Sequence, residues 1–152
     1  MINLGRYSGK KAPNVRFHPV LVDRLLEGAA FLLVLILWGC IYWFYTLKEV
    51  VFTPNAWIIG GFSLVSFMIL GICSYLPVRF VNFPVPVNER NIGIQYLLAI
   101  RLTRVMNVIL NLMFLSGMLM EYSQLSSVFF GISFLLLILA FIGYYILAYR
   151  YR

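Results

Sequence analysis

Asp23 and Glu27 stand four residues apart, the spacing that puts two carboxylates on one helix face, where an acid and a base could share a substrate. Glu89 is the next carboxylate of the chain's inner segments. With Arg24 beside the pair, a solvated interfacial face is the default reading and a catalytic acid pair the sharper one. The lone His18 cannot assemble a histidine metal cluster. Cys40 and Cys73 form no C-x-x-C motif and fall at different depths of their apolar runs, so they read as packing residues, not a redox pair or bridge. This set calls for no cofactor and no metal.

Amides are the next candidates. Asn107 and Asn111 lie one helical turn apart, on the same stripe as Arg104. Inside an apolar helix they serve either as interhelical glue or as a polar notch for a ligand or partner helix. The second candidate group is the segment "FPVPVNERNIGIQY", residues 83–96. Pro84 and Pro86 bias Phe83 and Val85 towards extended backbone. Asn88 then suits a helix N-cap, with Glu89 and Asn91 in the first turn. The segment reads as a stiff arm that turns the chain back into a helix. The alternative is a docking surface built from Phe80, Phe83, Arg90 and Tyr96.

The elements that must position these residues follow from composition. Of 152 residues, 62% are hydrophobic and 11% charged, whereas soluble domains carry about 25% charge. Lipid is therefore the expected solvent for much of the surface. Uncharged runs predict four spans at about 28–47, 54–76, 100–120 and 127–147, giving an all-α polytopic membrane protein. The third run is short unless its helix extends back past Arg104 and Arg101, with both side chains snorkelling to the headgroups. Residues 77–99 form the arm and residues 1–27 a polar tail. That tail ends in a short interfacial helix from His18–Pro19 to Glu27, with Leu21, Leu25 and Leu26 dipping into lipid. It is too polar for a signal peptide.

Charge sets the orientation. Eleven of the twelve basic residues fall in the tail, the segment between spans two and three, or the last three positions; only Lys48 falls elsewhere. Under the positive-inside rule both termini and the arm are cytoplasmic. Topology and anionic lipid account for the net charge of +7, so no nucleic-acid partner is expected. Trp38, Tyr42, Trp43, Tyr45 and Trp57 mark one interface, and Tyr75, Tyr96, Tyr144, Tyr145 and Tyr149 the other.

Two stretches, "DRLLEGAAFLLVLILWGCIYW" and "FVNFPVPVNERNIGIQYLLAIRLTRVMNVILN", together resemble a bacterial membrane-domain family of unknown function, found also at the N-terminal end of sporulation-delaying-toxin immunity proteins. The resemblance covers most of residues 20–120 and rests on an acidic start to a Trp-containing first span, a Phe-Asn-aromatic-Pro arm and an Asn-tipped helix start. It carries over to Asn82, Phe83, Pro84, Asn88, Asn91, Gln95 and Tyr96. It implies a bacterial inner-membrane protein of immunity or signalling type, without enzymatic activity. The stretch "TLKEVVFTPNAW" departs from the family, being shorter and lacking its histidine and glycine.

The sequence thus leads to a non-catalytic membrane interaction protein, whose partners are the bilayer and a protein or a second copy. A small transporter or channel subunit acting as an oligomer is the alternative. A lipid-acting enzyme using Asp23, Glu27 and Glu89 is the third reading.

Overall fold

The computed structural model describes residues 18–47, 54–120 and 123–152. The tail up to residue 17, Lys48, Glu49 and Glu121 lie outside the described residues. Four long helices run Leu21–Leu47 (α1), Pro54–Cys73 (α2), Ile92–Leu119 (α3) and Gln124–Arg150 (α4). Each is long and apolar enough to cross a membrane, the architecture of a multi-pass membrane protein. The arm between α2 and α3 includes one 3-10 turn, Val78–Phe80.

The helix ends depart from the sequence reading in instructive ways. There is no separate interfacial helix: residues 21–27 are the first turns of α1 itself. Asp23 makes this start possible, since its Oδ2 accepts from the backbone N–H of Val20 at 3.0 Å, at the start of the helix. Leu21 and Leu25 remain exposed on the outer side, as a lipid-facing surface would require. At the other end of the hairpin α2 stops at Cys73, short of 76, because the chain tightens into i→i+3 bonds from Tyr75 to Ile72 and from Leu76 to Cys73 ahead of Pro77.

α3 is the axis of the bundle and packs against all three other helices, whereas α1 and α2 pack on each other and α4 rests chiefly on α3. Side-chain contacts place the starts of α1 and α3 beside the ends of α2 and α4, so the helices alternate in direction. Both ends of the described chain and the arm therefore share one end of the bundle, here termed the arm end.

At the far end Leu37, Ile41, Ala56 and Met118 form a buried cluster, and Trp57 meets Trp38 and Tyr45 edge-on. Gly60 lies at this contact: a Cβ on it would lie 2.7 Å from Cδ1 of Ile41 and 3.4 Å from the Trp38 ring, so a larger residue would oblige the Ile41 side chain to shift. Cys40 packs at this cluster and Cys73 ends α2; both are free thiols.

α4 is held differently. Its covered residues are Ser126, Phe130, Ser133, Leu137, Ala140, Gly143, Tyr144 and Ala148, which follow one another by about a helical turn and make one narrow stripe. Small residues recur on it, and large ones such as Phe134, Ile138 and Ile142 point outward. Lipid tails solvate such a surface as well as another helix would, so close approach through small residues decides which face meets α3.

Candidate functional site

The arm end contains the polar residues that the sequence singled out, together with several that it did not. Arg104, only 2% exposed, reaches from α3 to two carboxylates of α1. Its guanidinium lies 3.0 Å from Asp23 Oδ1 and 2.8 Å from Glu27 Oε1, and its Nε donates to the same Glu27 oxygen at 3.0 Å. Arg101 adds a second cation 3.5 Å from Asp23 Oδ1. Tyr75, just beyond α2, donates its hydroxyl hydrogen to Glu27 Oε1 at 2.6 Å, and its ring lies 5.4 Å below the Arg104 guanidinium carbon. That hydrogen bond and partial burial hold the Tyr75 phenol above its usual range, so it stays a donor at ordinary pH.

Two sequence expectations are corrected here. Arg104 does not snorkel to a headgroup; it is an interior residue, and only Arg101 keeps substantial exposure. Nor do Asp23 and Glu27 make a solvated face, since Asp23 is fully buried and Glu27 largely covered. The physical reason is charge pairing. Two carboxylates and two guanidiniums meet at the junction of α1 and α3, which offsets the cost of taking each from water. The carboxylates are also spoken for by arginines, the arrangement of a structural tie. Glu89 lies in the exposed turn of the arm and has no part in the cluster.

A second polar chain continues along α3. Ser63 Oγ of α2 donates to Asn111 Oδ1 at 2.7 Å. Asn111 Nδ2 donates to the carbonyl and side-chain oxygens of Asn107 at 2.8 and 2.9 Å, and Asn107 Nδ2 donates to the Phe67 carbonyl at 3.3 Å. Asn107 and Asn111 thus join α2 to α3, the glue reading of the pair. Asn107 also borders a groove of about 300 Å³ between α1 and α2, lined further by Glu27, Phe67, Gly71, Ile72 and Tyr75.

The arm residues divide into inside and outside. Val78, Phe83, Val87, Ile92, Tyr96 and Ile100 form a small core of their own. Tyr96 also donates to the Leu76 carbonyl at 2.8 Å, tying α3 to the end of α2. Asn88 and Asn91 bond reciprocally. Asn88 Oδ1 accepts from the N–H groups of Arg90 and Asn91, and Asn91 Oδ1 accepts from the N–H of Asn88. Asn91 Nδ2 reaches back to the Pro86 carbonyl. A turn at 89–91 follows and α3 proper starts at Ile92; Asn91 precedes it without a side-chain capping bond, and the capping bonds come from Asn88 Oδ1, as expected of that residue. Gln95, fully buried, donates to the carbonyls of Ala148 at 2.9 Å and Tyr151 at 3.2 Å, satisfying the open end of α4.

Of the proposed docking side chains, Phe83 and Tyr96 are therefore interior, while Phe80 and Arg90 stay on the surface with Asn82. Pro84 is half-buried at the edge of the arm core. Arg79 caps the outer face of Phe80, its guanidinium carbon 4.8 Å from the ring centre.

Sequence reasoning named Asp23, Glu27 and Arg104 but missed their pairing, and it missed Tyr75 as a member of the cluster. A signal for the latter was present. Asp23 and Glu27 continue the stripe of Ala30, Val34, Leu37 and Ile41 that α1 buries. Among the described residues no group of three or more His, Cys, Asp or Glu side chains gathers as a metal site. Comparison with known proteins gives no match: no family model matches the chain, and neither a curated protein nor a solved structure does.

Proposed function

We propose that this chain is a non-catalytic protein of a bacterial inner membrane, with both termini and the arm in the cytoplasm, and that it acts by binding a partner protein. The observation that carries the reading is the division of the arm end into a closed interior and an open surface. Inside, Arg104, Asp23, Glu27, Asn107, Asn111 and Gln95 hold one another or the backbone of a neighbouring helix. Outside, a folded arm offers Phe80, 59% exposed, beneath Arg79, with Arg90 nearby in sequence on the same arm. A large aromatic beside arginine is the composition of an interaction hot spot. The immunity-type role comes from the resemblance carried by Asn82, Phe83, Pro84, Asn88, Asn91, Gln95 and Tyr96.

In-membrane crosslinking followed by purification tests this. Phe80→Ala and Arg90→Ala are expected to reduce a specific crosslinked partner roughly tenfold, the loss typical of hot-spot truncation, with thermal stability unchanged. Undiminished partner recovery from both variants contradicts the reading. The alternative, a transport or channel subunit, is favoured by one observation: Asn107 and Glu27 border the groove between α1 and α2. It requires substrate flux in proteoliposomes that Asn107→Leu suppresses.

A further inference from the structure

The charges of the arm end fall into two sets. Asp23 and Glu27 are held inside by Arg104, with Arg101 3.5 Å from the first and Arg24 3.6 Å from the second. Arg79, Arg90, Arg150 and Arg152 make the second set. All four are exposed, and none forms an ion pair among the described residues. Against them stands one exposed carboxylate of the described residues, Glu89. Gln95 gathers this set at one place: its amide holds the carbonyls of Ala148 and Tyr151, so the last turn of α4 lies beside the first turn of α3, which directly follows the arm. No lysine occurs among the described residues. A guanidinium, unlike an ammonium, grips a planar carboxylate through two parallel bonds.

An acidic protein segment and an anionic bilayer surface both carry the complementary charge, and the outward residues of the arm separate them. A segment that lies on a bilayer turns a broad apolar face towards it. This arm turns its apolar residues the other way, with Val78, Phe83, Val85 and Val87 all buried. Within residues 77–91 Phe80 is the one large hydrophobic side chain left exposed, and Arg79 covers one side of its ring. A single aromatic peg among arginines fits a recess in a folded partner better than it fits a lipid surface. We infer that the partner presents an acidic segment to the arm, with carboxylates against Arg79 and Arg90 and an apolar recess for Phe80. Arg150 and Arg152 extend the same positive field at the rim, where charge guides the encounter. The inference rests on the arm binding a partner protein and adds the chemistry of that partner.

The test places the photo-crosslinker p-benzoylphenylalanine at position 80 of the full chain, where it keeps an aromatic ring, and irradiates native membranes. Mass spectrometry of the digested adduct then reads which segment lies against the arm. A protein segment in which Asp and Glu outnumber Lys and Arg is expected. Arg90→Glu in that background is expected to lower the adduct yield about tenfold below Arg90→Ala, because a like charge now faces the segment. The Arg90 backbone N–H that bonds Asn88 Oδ1 is unaffected by this change, so the arm should keep its fold, which the thermal unfolding midpoint checks. Arg150→Glu, at an exposed position on α4, serves if that variant fails to fold. An adduct on a neutral or basic segment overturns the inference, as does equal yield from the alanine and glutamate variants. An adduct on phospholipid alone overturns it in favour of an arm lying on the bilayer. Absence of any protein adduct removes partner binding itself, whereas a non-acidic protein adduct removes only the chemistry inferred for the partner, so the two failures are told apart.

Discussion

Replacing Arg104 by leucine would strand Asp23, which is fully buried and otherwise meets, among the described residues, only Arg101 and the backbone of Val20. Removing one partner of a buried pair costs about 3–5 kcal/mol. Arg104→Leu is therefore expected to lower the thermal unfolding midpoint sharply in detergent. Adding Asp23→Asn to that variant should recover part of the loss, because the uncompensated charge is gone; a double variant no better than the single would contradict the pairing. The hydrogen bond between Ser63 and Asn111 makes a milder claim. A double-mutant cycle with alanine at both positions is expected to give a coupling of about 0.6 kcal/mol and no more than about 1.7, the range seen for bonds between helices in lipid. Coupling indistinguishable from zero would mean that the two side chains find other partners.

At the scale of elements, the four helices were legible because runs of uncharged residues have few structural alternatives in lipid. The role of Arg104 was not, because hydropathy weighs each charge alone. Its countercharge lies 77 residues away in the chain, and the stripe of α1 that Glu27 continues tells that it faces inward but not which residue it will meet. The arm shows the same limit. Its prolines and asparagines announced a turn and a cap, and the reciprocal bonds of Asn88 and Asn91 supply both. That Phe83 and Tyr96 point inward depends on α3 folding back over the arm, which no spacing within residues 83–96 encodes. Gln95 is the extreme case, an arm residue whose partners belong to the last turns of α4. Gln95→Leu removes a net bond worth about 1 kcal/mol. Amide exchange in the final turn of α4 is therefore expected to quicken about fivefold, with α1 and α2 unchanged. Unaltered exchange there would show that the capping bonds hold nothing.

On the scale of the whole molecule, the alternating helices bring the chain end at Arg152, the start of α1 and the arm to one side. The basic residues Arg24, Arg79, Arg90, Arg101, Arg104, Arg150 and Arg152 belong to the same end, and the aromatic cluster of Trp38, Tyr45 and Trp57 lies at the other. That polarity is the premise of the proposed cytoplasmic placement of the arm and of its proposed recognition surface. Labelling with a membrane-impermeant maleimide tests it most directly, in a background with Cys40 and Cys73 replaced by alanine. Glu89→Cys and Arg152→Cys are predicted to react only after the cells are permeabilised, and Lys48→Cys to react in intact cells. Labelling of Glu89→Cys in intact cells would contradict the account.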